Sequence, residues 1–260
     1  MIEAFVYAKL DEGKAPKSIR NYLGLLHSII AYGVKRGWCE KNPVGQVEAP
    51  RANRDRDIRF LTLSELEAVL AASPDTALGR IDRLVFLTAA MTGMRRGEVV
   101  ALRWQDIDWR VELIRVRQNF TRGQFGTPKS RRSSRAVPLA PRLADELRVH
   151  REGCSIVEPT DLVFAHPELA TVLDPSKLRK RFIACVNRAQ VRPIRFHDLR
   201  HTFGTQMAAA GAPMRAIQEW LGHSDLRTTL IYADYALDPH QGALYADRAF
   251  GTSQNVVAPS

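Results

Sequence analysis

Apolar residues recur at helical spacing through the first fifty positions. Ile2, Phe5, Val6 and Leu10 keep one period. After a break at Gly13–Pro16, Ile19, Tyr22, Leu23, Leu26, Ile29, Ile30 and Val34 keep a longer one, which predicts an amphipathic helix with Ser18 as its N-cap. Gly37 stops that helix, and Asn42-Pro43 closes a short turn. The stretch 48–58 is polar and nearly patternless. The pattern therefore predicts a small helical domain over 1–50, a linker over 51–58, a second domain over 59–250 and a flexible tail over 251–260.

The second domain opens with Thr62-Leu63-Ser64-Glu65, a capping-box pattern leading into Leu66, Val69 and Leu70. A long apolar helix over 78–92 ends at Gly93, and a short helix after it carries Arg95 and Glu98 three positions apart, on one face. The period then shortens. Residues 107–116, 120–127 and 135–139 read as three short antiparallel strands, with Gly123, Gly126 and Ser133-Ser134 near the turns. Helices resume at Pro141 and dominate to the end. The clearest spans 175–191, followed by 197–210, 213–221 and 225–235, with Pro213 as a first helical residue and Gly211 and Gly222 as stops. The fold class expected is α+β, mainly helical, with one small three-stranded antiparallel sheet.

Charge narrows the partners. The 260 residues hold 38 Lys and Arg against 28 Asp and Glu, a net charge of +10 with a pI near 9.9. A polyanionic partner follows from such a balance more readily than any fold does. The excess is concentrated in two stretches. From Leu113 to Ala144 there are eight cations (Arg115, Arg117, Arg122, Lys129, Arg131, Arg132, Arg135 and Arg142) and no carboxylate. From Pro175 to Phe196 there are seven (Lys177, Arg179, Lys180, Arg181, Arg188, Arg192 and Arg195), again without a carboxylate. Within and beside these runs, Arg96, Arg131, Arg132, Lys177, Arg179, Lys180 and Arg195 are candidate contacts to nucleic acid. Cys39, Cys154 and Cys185 are isolated and odd in number, so neither a disulfide framework nor a zinc site is expected, and a reducing cytoplasm is the natural setting. No apolar run of about 18 residues and no signal-peptide pattern is present, and no membrane association is expected.

The chemistry concentrates in a few short words. His197-Asp198-Leu199-Arg200-His201, Leu221-Gly222-His223-Ser224 and Tyr232 supply histidines, a guanidinium and a phenol, and Thr92-Gly93-Met94-Arg95 adds a second guanidinium. A phosphodiester transition state carries charge on its non-bridging oxygens, which planar guanidiniums match bidentately. Arg95 and Arg200 are the candidate clamps, and His197 and His223 can hydrogen-bond a phosphate oxygen or move a proton near neutral pH. Tyr232 is the candidate nucleophile. Its phenol, with an ordinary pKa of about 10, needs cations beside it to become phenolate-like, and the arginines and histidines are expected to provide them. Tyr235 is a rival three residues on, and His201 reads as a packing or capping residue. Lys129, in Gly126-Thr127-Pro128-Lys129, reads either as a general acid for a leaving 5′ oxygen or as a contact to the DNA backbone or a solvated turn. No metal site or cofactor is expected.

Taken together these words resemble the phage-integrase family of tyrosine site-specific recombinases. Thr92–Leu102 with Arg103-Trp104-Gln105-Asp106-Ile107-Asp108 is similar to the family's first arginine box. Pro128-Lys129 with Arg135-Ala136-Val137-Pro138-Leu139 is similar to its lysine β-hairpin, His197–His201 to its His-x-x-Arg box and Leu221–Ser224 to its third box, with Tyr232 at the nucleophile position. The resemblance implies a tyrosine-recombinase catalytic domain and a 3′-phosphotyrosyl intermediate. It implies catalytic roles for Arg95, Lys129, His197, Arg200, His223 and Tyr232, with Glu98 orienting Arg95 or a histidine. It also implies double-stranded DNA as substrate, a homo-tetramer on synapsed sites, accessory DNA-bending proteins as partners, and a place in the nucleoid-associated cytoplasm. Residues 1–50 supply fewer helices than the family's core-binding domain usually has, so they are expected to form a partial one. Two other readings stay open: a DNA-binding remnant that no longer cuts, and a type IB-like topoisomerase.

Overall fold

Proline and glycine placement sets the elements of the first unit. The computed structural model describes residues 1–51, 58–126 and 134–235, and the chain divides into two units at Asp57 and Ile58. In the first, α1 (Ile2–Asp11) and α2 (Pro16–Lys35) are followed by a 3-10 turn, Pro43–Gln46. The Ser18 cap expected from the pattern is not used. Ala15 is the N-cap and Pro16 opens the helix, since a proline there forfeits an N–H that would have no helical partner anyway. Val6, Ile19, Leu23 and Val44 form the core, with Ile2, Leu26, Ile30 and Val47 packed against them. Asn42 fastens the 3-10 turn to α2. Its Nδ2 donates to the His27 carbonyl at 2.9 Å, while its Oδ1 accepts from the Val44 N–H at 3.1 Å.

The second unit is built around α4. After α3 (Leu63–Ala71), whose Thr62–Glu65 capping box is complete in both directions, α4 (Ala77–Thr92) buries residues on nearly every side, among them Ile81, Val85, Phe86 and Leu87. A short α5 (Arg96–Val100) follows. Later come α6 (Pro141–Glu152), α7 (Pro175–Arg188), α8 (Asp198–Ala209) and α9 (Met214–Leu221). Phe86 packs edge-on against Phe182 of α7 at 5.0 Å and Phe196 at 6.1 Å, which joins α4 to the segment entering α8. Such pairs contribute about 0.5–1.5 kcal/mol each beyond the area they bury.

The β region differs from the expected three strands. The stretch 107–116 is broken into β1 (Ile107–Asp108) and β2 (Leu113–Val116) by a turn in which Glu112 takes a φ of 54°. Residues expected to be the second strand instead form a separate hairpin, β3 (Asn119–Thr121) with β4 (Gln124–Gly126). The three-stranded antiparallel sheet is β1-β2-β5, where β5 is Arg135–Pro138. Ile114 and Val137 face each other in register, both fully buried. The hairpin packs on α5 instead. Gly97 makes that possible, because a Cβ there would lie 2.1 Å from Asn119 Oδ1.

Two further expectations are corrected. The segment 225–235 is not an α-helix but two 3-10 turns, Leu226–Thr228 and Leu230–Tyr235. Thr229 and Tyr232, three apart, are its buried residues, and a three-residue period places them on one side. Pro213 stands at the N-cap of α9 and not inside its first turn. Helices dominate from Pro141 onward as expected, with turns and isolated bridges between α6 and α7.

Candidate active site

The site begins where α4 ends. Gly93 adopts a left-handed φ of 64°, and a Cβ there would lie 2.6 Å from the Phe203 ring and 2.7 Å from Leu221, so α8 and α9 close tightly over the turn. The chain re-enters helix at Arg95, the N-cap of α5. Glu98 reaches back to it, accepting from the Arg95 N–H at 2.7 Å and from its guanidinium at 3.0 Å. The same carboxylate receives Arg135 bidentately, at 3.0 and 2.8 Å. Burial pushes the Glu98 carboxyl up, but the hydrogen bonds and charge of Arg135, with those of Arg95, outweigh it and hold it below its ordinary value. Arg135 also donates from Nε to the Trp220 carbonyl at 2.5 Å, which ties β5 to the end of α9.

Arg200 enters from α8. It is 3% exposed, and its guanidinium donates to the Gly93 carbonyl at 2.7 Å and to the Leu221 carbonyl. The site thus gathers three guanidiniums, Arg95, Arg135 and Arg200, against the carboxylate of Glu98. Their crowding is felt at Arg200, whose pKa is pulled down to about 9, first by burial and then by the charges of Arg95 and Arg135. It stays cationic at neutral pH, and an anion placed among these groups relieves the repulsion.

The histidines differ from expectation. His197, at the N-cap of α8, is lowered by burial, then by Arg200. His223 follows the left-handed Gly222 that ends α9. Its Nδ1 lies 2.9 Å from Thr229 Oγ1, and its pKa falls to about 3 through burial and the charges of Arg200 and Arg95. As the site stands, both imidazoles are neutral at pH 7 and can donate an N–H without carrying charge.

Tyr232 also departs from expectation. It is 1% exposed, and the cations do not make it phenolate-like: burial pushes its pKa up to about 12, against the opposing pull of Arg200. Its ring lies on Gly204 of α8, where a Cβ would sit 2.5 Å from Tyr232 Cζ. Its hydroxyl lies 2.9 Å from Nδ1 of His201, the histidine read from sequence as a packing residue. His197, Arg200 and His201 stand at i, i+3 and i+4 on one side of α8, a spacing from which His201 could have been included. The site role of Arg135 had no such signal, because Glu98 is 37 positions away.

The remaining candidates fall elsewhere. Tyr235 packs edge-on against Phe60 at 5.0 Å, outside the cluster. Lys129, Arg131 and Arg132 lie outside the described residues. Lys177, Arg179 and Lys180 are exposed on α7, and half-buried Arg96 is lowered by burial and then by the charge of Arg179. The two runs without carboxylates are less bare in space than in sequence. Arg115, Arg117, Arg135, Arg142, Arg181, Arg192 and Arg195 all have carboxylate partners from other parts of the chain or just beyond the run. A groove of about 400 Å³ bordered by Ser134, Arg135, Gln218 and His223 adjoins the cluster. A cleft of about 640 Å³ bordered by His150 and Cys154 is lined by none of the site residues. Among the described residues no group of His, Cys, Asp and Glu is arranged to hold a metal ion, and no helix is long and apolar enough to cross a membrane.

Residues 59–237 match the sequence profile of the phage integrase family, and the chain belongs to that family. It is 31% identical over 254 residues to the tyrosine recombinase XerD of Lacticaseibacillus casei, covering 94% of this chain and 80% of that protein. It is 28% identical over 252 residues to a XerC-like tyrosine recombinase of Caldanaerobacter subterraneus subsp. tengcongensis, covering 86% of this chain but 63% of the relative's length. The fold is similar to that of the Tn1549 transposon integrase, solved with circular intermediate DNA, at a TM-score of 0.75 and 19% identity over 95% of this chain and 84% of that one. It is also similar to lambda integrase, solved as a dimer on a core site, at a TM-score of 0.69 and 20% identity, covering 90% of this chain and 78% of that one.

Proposed function

We propose that the protein is a site-specific recombinase that cuts and rejoins double-stranded DNA, of the integrase kind carried by phages and other mobile elements. The observation that carries this reading is the pair Arg95 and Arg135 held on Glu98, with Arg200 close enough to feel both their charges, beside a tyrosine hydroxyl. Arg95 and Arg200 clamp the non-bridging oxygens of the scissile phosphate, and Glu98 orients Arg95. His197 and His223 donate hydrogen bonds to the same oxygens. Tyr232 attacks phosphorus, the bond to the 5′ oxygen breaks, and Lys129 supplies the proton that the leaving oxygen takes. The bond energy is kept in a 3′-phosphotyrosyl link, so a second 5′-hydroxyl reseals the strand without ATP. Four copies bring two duplexes together, the first unit adds to the grip on DNA, and the enzyme works at the nucleoid in the cytoplasm.

The test is to express the protein and Tyr232→Phe in cells, trap covalent protein–DNA adducts under denaturing conditions, and sequence the attached ends. A Tyr232-dependent 3′ adduct at a defined site is expected. DNA binding with no adduct from either protein would instead identify a binding remnant, and relaxed plasmid without recombinant junctions a topoisomerase.

A further inference from the structure

We infer that His201 is a catalytic residue of this site: its Nδ1 takes the hydroxyl proton of Tyr232 as the phenol attacks the phosphate. The inference rests on the recombinase reading above and assigns the proton that reading leaves unplaced.

Geometry carries it. Gly204 lies three residues beyond His201 on α8, and its missing Cβ lets the Tyr232 ring lie against the helix. Seated there, the phenol oxygen is 2.9 Å from His201 Nδ1, within the range needed for direct proton transfer. The other two histidines are not so placed. His223 is engaged with Thr229, and the His197 ring stands 5.8 Å from that of His201, edge to face.

The resting ionisation suits the role. His201 is lowered to about 4, first by burial and then by His197, with Arg195 and Arg200 adding to the effect and Asp198 opposing it; His223 is the further titratable group that senses it. It is therefore neutral at pH 7, with a lone pair available at Nδ1 when the proton resides on Nε2. The phenol, pushed up to about 12, does not ionise by itself. Attack forms the bond from Tyr232 Oη to phosphorus and breaks the bond from phosphorus to the 5′ oxygen. The hydroxyl proton moves to His201, while the leaving oxygen is protonated separately. The new imidazolium gains the attraction of the Asp198 carboxylate, which is anchored three residues earlier by Arg195.

The test uses the duplex recovered by adduct sequencing, nicked beside the scissile phosphate so that the freed strand diffuses away and the adduct accumulates. Single-turnover rates are measured from pH 7 to 9 for the full chain, His201→Ala and His201→Asn, together with DNA affinity by anisotropy. Asparagine keeps a hydrogen-bond acceptor near the Nδ1 position but cannot take up a proton. The expected result is that both variants bind DNA as the parent does yet cleave about 100-fold more slowly at pH 7. Their rates should rise about tenfold per pH unit, since the phenol must then ionise first, while the parent rate stays flat. Parent-like cleavage by His201→Asn, or slow cleavage that stays flat with pH, would overturn the assignment and leave His201 with a positioning role. If the parent itself forms no adduct with this duplex, the recombinase reading fails and the inference falls with it.

Discussion

Glu98 and Arg135 form a two-pronged ion pair in which the side chains are 4% and 5% exposed, and the same carboxylate also holds Arg95. Removing one member of a buried ion pair costs more than the pair contributes, because the remaining charge keeps its desolvation cost and loses the attraction that offset it. The pair joins α5 to β5, and Arg135 continues to the end of α9 through the Trp220 carbonyl. Three segments of chain are thereby registered on one carboxylate.

Glu98→Gln keeps the shape of that residue and removes its charge. It should therefore destabilise the fold by about 3–5 kcal/mol, the usual cost of removing one member of a buried ion pair. Chemical denaturation of the two proteins checks this. A loss well under 1 kcal/mol would mean that water reaches Arg135 and that the pair is not organising the site.

Gly204→Ala addresses the seat of Tyr232, the proposed nucleophile. A methyl group 2.5 Å from Tyr232 Cζ cannot coexist with the present ring position, so the phenol must leave its slot. Its pKa should then fall from about 12 toward the ordinary value of 10.0 as burial is relieved. Alkaline ultraviolet titration, with Tyr232→Phe subtracted to isolate this phenol, reads the shift. An unchanged titration would place the adjustment in α8 instead of the tyrosine.

Acid should weaken the fold before the carboxylates titrate. His201 and His223 are lowered from 6.5 to about 4 and about 3 in the folded chain, so the unfolded chain binds more protons below pH 6.5. Stability from these groups is complete above that pH and is lost as the pH falls from about 6.5 toward 4. Each histidine contributes a slope of up to about 1.4 kcal/mol per pH unit. Urea melts at pH 7, 6 and 5 should show the decline, and His223→Gln should remove part of it. Stability that is level or rising toward pH 5 would show that the imidazoles are charged in the folded state.

Much of the candidate site was legible along the chain because it comes in short contiguous words whose local geometry is fixed by neighbours. Gly93 ends α4 where the pattern placed its stop, Thr62 and Glu65 form their capping box, and Arg95 and Glu98 meet three positions apart. Misreadings came where tertiary packing overrode local pattern. The segment 225–235 has helical spacing, yet burying Thr229 and Tyr232 on one side draws it into 3-10 turns. Residues 119–126 have strand character, but they pair with each other and pack on α5 through the gap at Gly97.

Charge and protonation show the division most clearly. Composition and the order of the boxes were enough to indicate a family, a polyanionic partner and the residue types of the site, since these depend on identity and spacing alone. Which of those residues touch was decided by the fold. Arg135 finds Glu98 across 37 positions, His201 finds Tyr232 across 31, and seven of the clustered cations find carboxylates beyond their own runs. The protonation of Tyr232 was decided the same way. Counting cations along the chain predicts an acidified phenol, but a pKa follows from the loss of water as well as from nearby charge, and only the packed structure shows how much water Tyr232 has lost.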